Sequence, residues 1–210
     1  MTLGIKTVLF VPLILLKTTD EAVEQLRAGV LVIYPTETAY ALGADATNER
    51  AVRRVFSAKR RTKNKTLPLI VGSWAMASRY GKFSASLKRL AKRYWPGPLT
   101  IVVPARGKIA RGVLGQARTA ALRVSSHHLA RTLSQRLHRP IVSTSANLNG
   151  QKNIYSVQSL KKSFAKTPHK IYFLSGDTLP RRPPSTIVAL KNGMLKVLRQ
   201  GSIKVKGIRN

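Results

Sequence analysis

The chain contains no cysteine, which excludes disulfide cross-links and thiolate-bound metals and fits a reducing compartment. It is also poor in acids: 7 Asp and Glu stand against 38 Lys and Arg, a formal charge of +31. So few carboxylates offer no cluster for a pair of metal ions, and no Ser-His-Asp constellation suggests itself. Long hydrophobic runs are missing too. Residues 6–16 hold a cation and an apolar stretch, but Pro12 interrupts it and it is too short to span a bilayer. No small-residue cleavage site follows, and an organellar leader would be richer in Arg and Ser. Residues 1–12 are expected to be a loose extension or an added edge strand. They are expected to precede a single domain over residues 13–210, in a protein read as cytoplasmic and without membrane contact, with an organellar destination as the alternative.

What is present is a chain of 210 residues, 43% hydrophobic, long enough to bury a sizeable core. Its charge is lopsided. Six of the acids (Asp20, Glu21, Glu24, Glu37, Asp45 and Glu49) precede residue 50, and only Asp177 follows. Residues 50–210 thus carry 35 cations against 1 acid, a formal +34. Such a surface attracts polyanions in a salt-sensitive way. The pattern reads either as a surface for RNA, tRNA or double-stranded, or as a general compositional bias with no specific partner.

Apolar periodicity interleaves strands and helices without repeats. Strand-like runs lie at 13–16, 30–34, 67–71, 99–103, 119–124, 140–143, 170–174, 186–190 and 194–198. Helical patterns follow a Thr19-Asp20 cap, an Asn48 cap, Ser84 or Ser86, His127 and Ser156. The fold class is α/β, a twisted mixed sheet with helices on its faces. His127 and His128 could suggest a metal, but adjacent side chains seldom converge on one ion; they read as helix-start residues.

Three separated blocks look built to hold one anionic ligand. They are Tyr34 to Gly43, the basic stretch Lys59-Arg60-Arg61-Thr62-Lys63, and Ser143-Thr144-Ser145-Ala146-Asn147. The first and third follow apolar strand-like runs, and strand ends are where open α/β sheets place ligands. Pro35 fixes the backbone before Thr36, so that hydroxyl is positioned. Lys59 and Arg61 converge only if the helix before them has ended. Ser143, Ser145 and Asn147 alternate out of a strand and should face one side. Thr119 and Arg123 share a strand face, and a guanidinium grips a carboxylate with two prongs.

These blocks resemble the signature of the YrdC family of threonylcarbamoyl-AMP synthases. The resemblance runs through Pro35 to Gly43, Lys59 and Arg61, Trp95 to Thr100, Ala121 to Val124, Ser145 and Asn147, Pro184-Ser185-Thr186, and Leu198 to Gly201. It implies a YrdC-like fold with a basic concave cleft and a reaction of L-threonine, bicarbonate and ATP. The product would be L-threonylcarbamoyladenylate, passed to a downstream transferase for t6A modification of tRNA, with Mg2+ carried on the triphosphate. It places Thr36, Arg123, Ser143 and Ser185 on threonine, and Lys59, Lys63, Thr119, Ser145, Asn153 and Arg199 on ATP. Lys59, Arg61, Ser145 and Asn147 would serve catalysis. The chain departs from the family pattern at Ala41, Thr62 and Gln200, and Gly72 lies near the place of a family histidine. A rival within the same fold is a non-catalytic protein that binds RNA or nucleotides.

Overall fold

A computed structural model describes residues 13–61, 66–174 and 178–205. The reading of residues 1–12 lies outside the described residues. The elements begin with β1 (Ile14–Leu16), α1 (Thr19–Arg27), β2 (Leu31–Pro35), β3 (Tyr40–Gly43), α2 (Glu49–Ala58) and β4 (Leu69–Ile70). Next come α3 (Trp74–Tyr80), α4 (Ala85–Tyr94), β5 (Leu99–Pro104), two short 3-10 turns and β6 (Thr119–Arg123). The chain continues with α5 (His128–Leu137), β7 (Ile141–Val142), β8 (Thr144–Ser145) and α6 (Val157–Phe164). It closes with β9 (Ile171–Leu174), β10 (Thr186–Lys191) and β11 (Met194–Arg199).

Helix starts follow local chemistry. Side-chain oxygens of Thr18, Asn48, Ser73, Ser84 and Ser156 each accept a first-turn backbone N–H. Thr18, not Thr19-Asp20, caps α1, which then turns out through Gly29 at φ +74°. Helix α5 starts at His128 with His127 in the capping position, as the helix-start reading expects.

Two mixed sheets form where one was expected. The first has the order β1-β9-β2-β3-β8, the second β11-β10-β5-β6-β4-β7. Tyr40 to Gly43, given no element by the apolar periodicity, pairs with β2 as an antiparallel strand. The expected buried strand at 13–16 is instead an edge strand of which only Leu16 is buried, with Leu15 51% exposed. The run at 67–71 contributes two residues to β4, and α3 has no counterpart in the apolar periodicity.

Strand β2 is buried on both faces. Leu31 and Ile33 join a core that also holds Leu69, Ile101, Leu122 and Val188 of the second sheet. Val32 and Tyr34 face the other way, against Leu26 of α1 and Leu133 of α5. The chain leaves the second sheet at Val142 and enters the first at Thr144. Ser143 is the single residue between them. The Tyr34 hydroxyl donates to Val142 O at 3.1 Å and pins this crossing. Among the described residues no helix is long and apolar enough to cross a membrane.

Candidate active site

The crossing at Ser143 opens onto a cavity of about 280 Å³ lined by parts of both sheets. Thr36, Arg61, Arg123, Ser143, Ser145, Asn153, Ser185 and Arg199 all border it. The three blocks separated in sequence are therefore brought to one place. Thr119 is not in this cavity; it lines an adjoining cleft of about 1140 Å³. The two spaces share Thr66, Pro68 and Ile187 as common wall. Position along β6 makes the division, since Thr119 stands at its start and Arg123 at its end. Thr119, Ala121 and Arg123 point to the open side of β6 while Ala120 and Leu122 enter the core.

Arg123 is only 5% exposed and pairs with Glu37 at 3.4 Å. Glu37 also accepts the Ser125 hydroxyl through its other oxygen. The sequence singled out Arg123 but left Glu37 without a role. Its function is to hold the guanidinium, and only the tertiary fold brings residues 37 and 123 together. The Thr36 hydroxyl is committed to its own turn: it donates to Ala39 O at 2.6 Å and accepts from Thr38 N and Ala39 N. It shapes the cavity mouth and presents its oxygen there from a fixed position.

Helix α2 ends at Ala58, and Arg60 turns into the left-handed region at φ +50°. The helix has thus ended before Arg61, which lines the cavity while Lys59 is buried against the third block. The Lys59 ammonium donates to Ser145 O at 2.5 Å, Asn147 O at 2.6 Å and Asn147 Oδ1 at 3.0 Å. Lys59 thus fastens the third block to the second, from within the cavity wall. Burial, and then the Arg61 charge, lower its ammonium from 10.5 to about 7. The three carbonyl acceptors act in the opposite sense by favouring the charged form. Burial also lowers the Arg61 guanidinium, whose buried Nε has no hydrogen-bond partner among the described residues.

Asn147 does not share the cavity face with Ser143 and Ser145. It lies beyond β8, where its Oδ1 accepts from Lys59 and from the Ser145 hydroxyl. Its Nδ2 donates to Gln151 O and Lys152 O. The strand alternation predicted for 143–147 stops at Ser145, and Asn147 becomes the brace of the loop. Lys63 and Thr62 lie outside the described residues.

The far wall comes from the C-terminal strands. Arg199 doubles back on Ser185, donating through Nε at 3.0 Å and Nη2 at 2.8 Å to its carbonyl. A second Nη2 contact reaches the Ser185 hydroxyl at 2.9 Å, which also meets Thr100 Oγ1 at 2.9 Å. Desolvation, followed by the Arg123 charge, lowers the Arg199 guanidinium from its ordinary range. Gly201 explains its place in the motif: a Cβ there would lie 2.1 Å from Pro184 O. Three arginines and fixed hydroxyls facing one small space make a receptor for an anion bearing phosphate or carboxylate groups. Among the described residues no group of His, Asp and Glu is arranged to hold a metal ion.

Known proteins resemble this chain over most of its length. A model of the Sua5/YciO/YrdC family, described as "Telomere recombination", matches residues 24–201. A threonylcarbamoyl-AMP synthase of Chromobacterium violaceum is 36% identical over 181 residues, covering 86% of this chain and 91% of that protein. The structure of Pyrococcus abyssi Sua5 complexed with L-threonine matches with a TM-score of 0.80 at 32% identity. That match covers 90% of this chain, which spans 57% of the Sua5 chain. Escherichia coli YciO matches with a TM-score of 0.78 at 26% identity, over 92% of this chain and 96% of its own.

Proposed function

The chain belongs to the Sua5/YciO/YrdC family, and we propose that it is an enzyme joining L-threonine, bicarbonate and ATP into L-threonylcarbamoyladenylate with release of pyrophosphate. In this nucleotidyl transfer the threonine amine takes up carbon dioxide or bicarbonate to form a carbamate. A carbamate oxygen then attacks the α-phosphorus of ATP, and pyrophosphate leaves. Such a step depends on alignment and charge neutralisation more than on a protein nucleophile. The product, a mixed anhydride, passes in the cytoplasm to the transferase that completes t6A on tRNA.

The observation that carries this reading is a buried arginine, Arg123, oriented by Glu37 beside the Ser143 and Ser185 hydroxyls, with Arg61 and Arg199 on the same cavity. Arg123 takes the threonine carboxylate, and Thr36, Ser143 and Ser185 surround the amino acid. The bound L-threonine of Pyrococcus abyssi Sua5 supports an amino acid in this role. Arg61, Ser145, Asn153 and Arg199 meet the triphosphate, and Thr119 meets the nucleoside in the adjoining cleft. Lys63 is assigned to the nucleotide by resemblance alone. Lys59 and Asn147 keep the Ser145 backbone in place and supply a proton-binding group beside the phosphates.

Magnesium arrives on the triphosphate as part of the substrate. Glu37 is engaged by Arg123 and Ser125, and no residue lining the cavity is acidic, so the donor set suits an anion. A relative that merely binds RNA has no use for an oriented arginine among hydroxyls, and the synthase names of the relatives favour catalysis.

Incubation with ATP, bicarbonate and threonine, followed by chromatography of adenylate and pyrophosphate, tests the proposal. Release of pyrophosphate should require both threonine and bicarbonate. Folded protein that binds ATP yet forms no adenylate at any threonine concentration would overturn it.

A further inference from the structure

The 3.4 Å between Arg123 and Glu37 is longer than a hydrogen-bonded ion pair, which closes to roughly 2.7–2.9 Å. Attraction across that gap keeps the two charges adjacent but gives neither a direction. Glu37 Oε1, the oxygen that faces Arg123, accepts no hydrogen bond among the described residues. The carboxylate is therefore fixed through Oε2, which takes the proton of the Ser125 hydroxyl.

Ser125 is 0% exposed and is absent from the lining of the cavity, so it acts only through its neighbours. Its own place is held from several sides. The carbonyls of Arg123 and Val124, just before it, accept from Val71 N at 2.9 Å and Gly97 N at 2.8 Å. The Ser125 carbonyl accepts from Arg131 Nη1 at 2.8 Å. Its hydroxyl oxygen accepts from His127 N at 3.2 Å, and the one proton it can donate goes to Glu37. Closing the turn into α5 requires only the lone pair. A proton aimed at a carboxylate 88 residues earlier serves no turn.

We propose that Ser125 is a positioning residue for amino-acid binding: through Glu37 it sets the direction in which Arg123 presents its guanidinium to the threonine carboxylate. A hydroxyl bond to a carboxylate is charge-assisted, and a donor fixed before the ligand arrives loses less freedom on binding. The inference rests on the proposed synthesis for the identity of the ligand.

Ser125→Ala removes one oxygen and leaves the cavity lining intact. The threonine concentration for half-maximal adenylate synthesis should rise about 10-fold, the lower end of what one charge-assisted hydrogen bond contributes, while kcat and the ATP requirement hold. The deciding measurement is a double-mutant cycle with Glu37→Ala, in which Ser125→Ala should change the threonine requirement no further. A parent protein without synthesis would remove the proposed function, and calorimetric threonine affinities of the same four proteins would then complete the cycle. The Arg123 Nε–H resonance, identified by its loss in Arg123→Lys, needs neither turnover nor a folded Glu37 variant. Its exchange with solvent should be slow in the parent and faster in Ser125→Ala. Three outcomes would overturn the proposal: equal shifts for threonine and ATP, an undiminished effect of Ser125→Ala beside Glu37→Ala, or an unchanged Arg123 resonance. A lower melting temperature with an unaltered threonine requirement would likewise make Ser125 a turn residue and nothing more.

Discussion

Glu37 and Arg123 face each other at 3.4 Å with side chains 7% and 6% exposed, tying the turn after β2 to the end of β6. A buried pair of this kind adds little net stability, yet removing one partner strands the other charge. Its value lies in orientation. The guanidinium is held at the cavity before any ligand arrives, so less rotamer freedom is lost on binding.

Arg123→Lys keeps a positive charge beside Glu37 but lacks the planar grip. The threonine concentration giving half-maximal adenylate synthesis is expected to rise about 10-fold or more, the order of one charge-assisted hydrogen bond. The ATP requirement should move much less. Steady-state kinetics with each substrate varied separately measure both. Equal shifts for the two substrates, in a variant that melts like the parent, contradict the placement on threonine.

Lys59 gives a dependence on pH. The unfolded chain keeps this proton up to about 10.5, whereas burial lowers the folded group to about 7. Between those values the unfolded state binds more protons, so this group makes stability rise with pH across the window. The charged-burial cost is present in full below about pH 7. An anionic triphosphate should draw the proton back. Calorimetric titration with ATP at pH 8, in buffers of different ionisation enthalpy, should show proton uptake that Lys59→Met abolishes. Heats independent of the buffer would count against a loosened proton on Lys59.

Gly201→Ala would drive a methyl group into backbone, at 2.1 Å from Pro184 O and 2.6 Å from the Ser185 carbonyl carbon. Backbone cannot swing aside as a flexible side chain can. Denaturant unfolding should show a loss of about 1–3 kcal/mol, as overpacking usually costs. Because Arg199 rests on the same Ser185 carbonyl, ATP affinity should fall as well. An unchanged unfolding midpoint would mean that the two strand ends separate freely.

Some of this was legible in one dimension. Asn48 and Ser84 announced their helices because capping is a contact within three residues. Arg123 and Thr119 could be assigned one face because strands alternate strictly. Alternation failed at Asn147, since nothing local reveals that β8 ends at Ser145. Strand β3 was missed because Tyr40 to Gly43 is short and follows a Pro-Thr turn, and its pairing with β2 is what makes it a strand.

The sequence by itself determined the spacing of apolar residues, the caps, the excess of positive charge and the small set of hydroxyl and basic residues available for binding. These are properties of neighbours in the chain. Only the tertiary structure decided that Glu37 orients Arg123, that Lys59 binds the backbone of Ser145 and Asn147, and that Ser125 donates to Glu37. Each of these depends on which strands pair and on how far water is excluded. Pairing and burial are collective results of packing, and residues tens of positions apart carry no local mark of them.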